Sequence, residues 1–343
     1  MKLTKYISLL SLAALTGFMT SCENGSQDFP DFDYTTVYFA YQNPIRTIVL
    51  GVDETTDVTP DNNHECSIIA TMGGSYNGSN AKVQIAVDPT LVDHLYFSDG
   101  RKVEAMPESY YSLSTTTLDY GGGLTGATKV KLNDAFFADP KSIENTYVIP
   151  VKMTSVAGAD SILSGKPVVD GETPQLTNTT RWDPAPKSYT LYLVKYINQY
   201  TANYLQKGED DITINGTTTK VSHGGAEVEN GTVVKGITTR SLSAINWPVS
   251  YTVSGKTLTA NLILTFDDKG NGTVTTDTEG VTVSGTASFV QDAGTWNKKQ
   301  RQGINYDLTL SFSDGNKVVT KGLLTMRDRG VTAAQEFTTE YKN

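Results

Sequence analysis

Leu258-Thr259-Ala260-Asn261-Leu262-Ile263-Leu264-Thr265-Phe266 carries apolar residues at its even positions and polar ones at most odd positions. A period of two puts alternate side chains on opposite faces, the signature of a half-buried β-strand. Val281, Val283, Ala287 and Phe289 repeat the pattern, as do Ile304, Tyr306, Leu308, Leu310 and Phe312. Tight-turn sequences lie between such runs: Asn215-Gly216, Ser254-Gly255, Gly270-Asn271-Gly272 and Asp314-Gly315-Asn316. Strands joined by short hairpins make a meander. With one inward face per strand, over about eight strands, it is expected to close into an antiparallel barrel without exposed edges.

Upstream, Tyr189-Thr190-Leu191-Tyr192-Leu193-Val194-Lys195-Tyr196-Ile197 is apolar on both faces. That predicts a strand covered on both sides, or one passing between domains. Residues 165–187 hold Pro167, Pro174, Pro184 and Pro186, a density read as an interdomain linker. From 37 to 164, about seven strand-like runs alternate with turn clusters, which suggests a β-sandwich of immunoglobulin type. Pro150, inside one of these runs, points to an edge position or a bulge. The chain has 48 threonines, and its 18 tyrosines outnumber its 11 phenylalanines. β-branched and aromatic residues suit pleated surfaces, so the fold class expected is all-β. The domains expected are a sandwich at 37–164, the linker at 165–187 and the barrel at 188–343.

The chain begins differently. Lys2 and Lys5 precede an apolar run from Ile7 to Leu15, too short to span a bilayer, and Met19-Thr20-Ser21-Cys22 follows. This arrangement resembles the lipobox of bacterial lipoproteins, which implies a signal peptide at 1–21 and a lipid on Cys22. The alternative is an ordinary secretory signal with a chance cysteine. Residues 22–36 read as a tether. Glu23 and Asp28 resemble the signal that sends lipoproteins of the Bacteroidota to the outer cell face. With Cys22 lipidated, Cys66 has no disulfide partner and is read as a small buried apolar residue. The net charge of −9 becomes more negative once the leader's two lysines are removed. It argues against nucleic acid and anionic lipid as partners and suits a neutral one such as a glycan.

Tyr111-Ser112-Leu113, Lys129-Val130-Lys131-Leu132-Asn133-Asp134, Tyr147-Val148-Ile149-Pro150-Val151 and Asp160-Ser161-Ile162-Leu163-Ser164-Gly165-Lys166 together resemble a known module. It is the amino-terminal immunoglobulin-like domain of surface lipoproteins from Bacteroidota glycan-utilisation systems. Tyr192 to Tyr200, Asn271-Gly272-Thr273, Val283-Ser284-Gly285 and Trp296 resemble the lipocalin-like barrel that often follows it. The resemblance implies a surface protein, lipid-anchored at the outer membrane, that binds glycan for an adjacent importer complex. A noncatalytic adhesin or surface assembly protein is the alternative, and a cryptic glycosidase a third. The Asp-x-x-Asp-x-Asp-x-Glu signature of chitinase-like glycosidases does not occur in the chain, and no reaction or cofactor is expected.

Trp182, Trp247 and Trp296 are the candidate glycan contacts, because flat aromatic faces stack on the C–H faces of sugar rings. Trp247 precedes Pro248 in a turn-like stretch, and Trp296 lies in a polar segment between strands that favours partial exposure. Ser161, in Asp160-Ser161-Ile162, is a candidate O-glycosylation site. His64, His94 and His223 lack metal-ligand spacing. Asp267-Asp268 reads as a hairpin turn rather than a calcium loop, and Gly121–Gly126 joins no strand to a helix.

Overall fold

The structure, a computed structural model, describes residues 31–225, 227–332 and 335–342. The expected leader, Cys22 and most of the tether lie outside these residues. The chain is all-β, with helix confined to short turns.

Two sheets form the first unit. One runs in the order Ser161–Ile162, Thr36–Tyr38, Glu65–Gly73, Thr125–Leu132, Tyr111–Leu113. The other runs Gln335–Glu336, Pro44–Val49, Tyr189–Ile197, Tyr147–Ala157, Lys82–Val87, Thr117–Asp119. Alternation along their strands sends Val37, Ile68, Val83, Val130, Ile149 and Val194 into one core between them.

Tyr189–Ile197 belongs to this sandwich and not to the barrel, which corrects the boundary expected at 187/188. It pairs in parallel with Pro44–Val49 and antiparallel with Tyr147–Ala157. Its two apolar faces now have a cause. Tyr192, Val194 and Tyr196 face the sandwich core, whereas Tyr189, Leu191 and Leu193 join a second cluster with Leu95, Phe97 and Phe337. Strand Thr339–Tyr341 pairs with Leu95–Phe97 beside that cluster, so the carboxy-terminal segment completes the first unit.

Residues 165–187 are likewise not an interdomain linker. They form a loop between two strands of the same unit, held by Lys187 N to Leu163 O (2.8 Å) and Phe39 N to Lys187 O (2.9 Å). Prolines remove donors but leave carbonyls, and the loop uses one: Lys166 N donates to Pro184 O. Pro150 sits in an interior strand opposite Leu191. The Leu191 N–H points away from it, to Gln42 O, while Pro150 O accepts from Asp88 N at 2.8 Å. The missing donor falls between the short partner strands Glu104–Ala105 and Lys82–Val87, where no ladder needs it.

The second unit is one ten-stranded antiparallel sheet. Its main path runs from Thr217–His223 through Asn203–Ile214, Lys317–Asp328, Gly303–Phe312, Val281–Val290, Asn271–Thr276, Lys256–Phe266 and Ala244–Val253 to Thr238–Thr239. A single cluster gathers Tyr204 and Ile212 near one end with Trp247 and Tyr251 near the other, so the sheet curls round one core. Where Val281–Val290 pairs with Gly303–Phe312, Gly285 has φ +126°, and a Cβ there would meet Asp307 O at 2.1 Å. Only glycine fits.

Candidate functional site

The three tryptophans do not share a surface. Trp247 lies mid-strand in Ala244–Val253, 3% exposed, with its ring edge-on to Tyr306 at 5.1 Å. The turn expected there is a strand, and the residue is core, with no face to offer a sugar. Trp182 is half-buried in the 165–187 loop, its Nε1 donating to Gln175 O at 3.0 Å. Trp296 is half-buried in the hairpin Thr295–Trp296/Lys299–Gln300. That hairpin leans on the first unit: Lys299 Nζ reaches Glu54 O at 2.9 Å and the Glu54 carboxylate at 3.0 Å.

Ser161 lies in the short strand beside Thr36–Tyr38, its hydroxyl 3.1 Å from Thr36 Oγ1. Asp160 accepts from Thr35 N (2.7 Å) and Thr35 Oγ1 (2.9 Å), so Asp160-Ser161 pins the first strand of the body. His64 stacks on Phe137 and His94 on Tyr341. Among the described residues no three His, Cys, Asp or Glu side chains gather to hold a metal. Asp267 caps its own hairpin turn, accepting from Lys269 N and Asn271 N, and Gly121 to Gly123 form a turn that carries the chain from Thr117–Asp119 in one sheet to Thr125–Leu132 in the other. Cys66 is buried, and burial pushes its thiol up to about 12.

His223 lies in the second unit. Its Nε2 is 2.6 Å from Asp210 Oδ2, and Asp210 Oδ1 accepts from Thr320 Oγ1 at 2.5 Å. Asp210 is almost fully enclosed and uses both oxygens. The hydrogen bond to Asp210 holds the His223 pKa above its ordinary value, against the opposing effect of burial.

The structure offers a different aromatic surface. Tyr41, 56% exposed, and Ile69, 55% exposed, flank a groove of about 390 Å³ on the sandwich. Tyr192 and Ile68 also line it, and Ser67, Thr71, Thr125 and Thr190 bring hydroxyls. Thr190 Oγ1 donates to Tyr41 O at 3.0 Å and Gln42 Nε2 to Phe39 O at 2.7 Å, which fixes the turn carrying the ring. The strand stops at Tyr38 and the next begins at Pro44, so Tyr41 stands on the turn between them, which Gln42-Asn43 signals in the sequence.

Between the units, Arg329 is 5% exposed and faces four carbonyls. Its Nε donates to Thr201 O (2.9 Å), Nη2 to Asn198 O (2.6 Å), and Nη1 to Leu50 O and Val52 O (both 2.9 Å). Asn198, fully buried, accepts from Tyr200 N and Thr201 N and donates to Ser241 O and Ala244 O. Strand Tyr189–Ile197 therefore enters the second unit through a locked corner.

Comparison with known proteins follows this division. A crystal structure of a protein of unknown function from Bacteroides ovatus superposes with a TM-score of 0.82 at 38% sequence identity, covering 91% of this chain and 100% of that one. The chain belongs to that protein's family. Residues 199–330 match the family described as Domain of unknown function (DUF5627), and residues 32–160 match a family described as a “-like, N-terminal domain”. Two further Bacteroides ovatus structures align weakly. One, of unknown function, has a TM-score of 0.41 at 9% identity over 87% of this chain and 94% of that one. The other, a candidate carbohydrate binding protein, has a TM-score of 0.28 at 13% identity over 86% and 98%. No curated protein matches the chain.

Proposed function

We propose that the protein is a noncatalytic surface lipoprotein, held at the outer membrane through Cys22, that binds a glycan for uptake by an adjacent importer. The observation that carries the binding reading is the groove beside Tyr41, where an exposed ring and apolar floor stand next to the hydroxyls of Ser67 and Thr125. A sugar ring needs that combination: an aromatic or aliphatic face for its C–H side and short polar groups for its hydroxyls. Hydroxyl hydrogen bonds largely exchange with water and give little net affinity, so the aromatic face supplies the excess.

The curled sheet of the second unit is filled by its own side chains, among them Tyr204, Trp247, Tyr251 and Tyr306. The reading therefore assigns binding to the sandwich. A glycan array probed with the purified protein and with Tyr41→Ala tests it. Binding to a defined glycan class that Tyr41→Ala weakens by about 1–2 kcal/mol is the expected result. Absence of binding to any glycan overturns the reading. Fractionation of cells expressing Cys22→Ala tests the anchor: release from the membrane is expected, and unchanged membrane association overturns it.

A further inference from the structure

The Tyr41 groove does not end at Ser67. Ser67 also lines a second depression of about 260 Å³, shared with Glu65, Lys129 and Asp57. Asp57 in turn lines a third, of about 330 Å³, where the sandwich meets the carboxy-terminal return of the chain. The three are linked through the shared residues Ser67 and Asp57.

Their chemistry changes along the way. The first stretch is apolar with hydroxyls at its rim. The middle carries Lys129 with Glu65 3.8 Å away. The last is walled by Arg46 and Asp61 on one side and by Thr332 and Gln335 on the other. Arg46 is ion-paired with buried Asp61, which also accepts from Val49 N at 2.8 Å. Beside these two opposite pairs the trough carries two further carboxylates, Asp53 and Asp57, and this lining with the chain's net charge of −9 disfavours a polyanion. Asp57 uses Oδ1 to accept from Thr59 N at 2.9 Å. Gln335 Nε2 donates to Thr332 Oγ1 at 2.7 Å, which holds the two residues of the far wall together.

We propose that these depressions form one trough for an extended neutral oligosaccharide, stacked on Tyr41 at one end and read through its hydroxyls by Asp57 and Gln335 at the other. The proposal rests on the glycan reading above and adds to it the length of the ligand and a second recognition end. It also gives the carboxy-terminal return a role, since that segment supplies one wall of the polar end.

Isothermal titration with neutral gluco-, manno-, xylo- and galacto-oligosaccharides, each from disaccharide to octasaccharide, tests it. The variants are Tyr41→Ala, Asp57→Ala and Gln335→Ala in the whole protein. In the series that binds, affinity is expected to rise about tenfold with length, the equivalent of one or two net hydrogen bonds. Asp57→Ala and Gln335→Ala are expected to abolish that rise and leave disaccharide affinity unchanged, while Tyr41→Ala weakens binding at every length. Length-independent binding, or an unaltered rise in both polar-end variants, overturns the trough and leaves the Tyr41 groove standing. Failure of every series at every length overturns the trough, and absence of binding on the glycan array as well overturns the glycan reading beneath it.

Discussion

Arg329 holds four backbone carbonyls from both units with a single guanidinium. Lysine keeps the charge but has no planar fork, so it leaves some of these carbonyls unpaired. Arg329→Lys is expected to cost about 2–4 kcal/mol, the sum of several lost or unmet hydrogen bonds, read from urea unfolding. His223 predicts a pH effect whose sign follows from its partner. Its folded pKa is raised by Asp210, so the pair's contribution is complete below the unfolded value of about 6.5 and is lost as pH rises through the folded one. Melting temperature should therefore fall across that window, and His223→Gln should remove the step. The Cys66 thiol, buried and held protonated, should resist iodoacetamide at pH 8 in the native protein and react in urea. The cysteine's place was legible from its strand. The partner of His223 was not, because Asp210 and His223 meet only through hairpin pairing, and nothing in local sequence distinguishes that carboxylate from the chain's other acids.

Strands announced themselves wherever one face met core and the other met water. Leu258 to Phe266 and Ile304 to Phe312 alternate in sequence as they alternate in burial. Trp247 was misread because Pro248 looks like a turn signal, yet Pro248 is an exposed position within a paired strand. Trp247→Ala should cost about 3–5 kcal/mol, the scale for a large buried aromatic, and lower the melting temperature. The return strands Gln335–Glu336 and Thr339–Tyr341 were invisible for a different reason. They are two and three residues long, and their partners lie near the start of the chain, so no periodicity could reveal them. What binds them is Phe337, buried against Phe97 at 5.4 Å. The Tyr41 groove was hidden in a similar way, since its walls come from segments far apart in sequence.

At the scale of the molecule, fragment boundaries become predictions. A piece starting at 188 would carry Tyr189–Ile197 and the return strands without the sheets that cover them, exposing Leu191, Leu193 and Phe337. It should aggregate, whereas residues 199–330 should stay monomeric in size-exclusion chromatography, because the second core lies wholly within that span. The corner at Asn198 and the exit at Arg329 are bonded directly to each other, so the chain leaves the sandwich and comes back to it at one spot. The ten-stranded unit is thus a cassette spliced into a host domain through a single doorway. Such an arrangement lets the inserted piece be exchanged, or excised with a short graft across the doorway, while the host keeps its own termini and its own face.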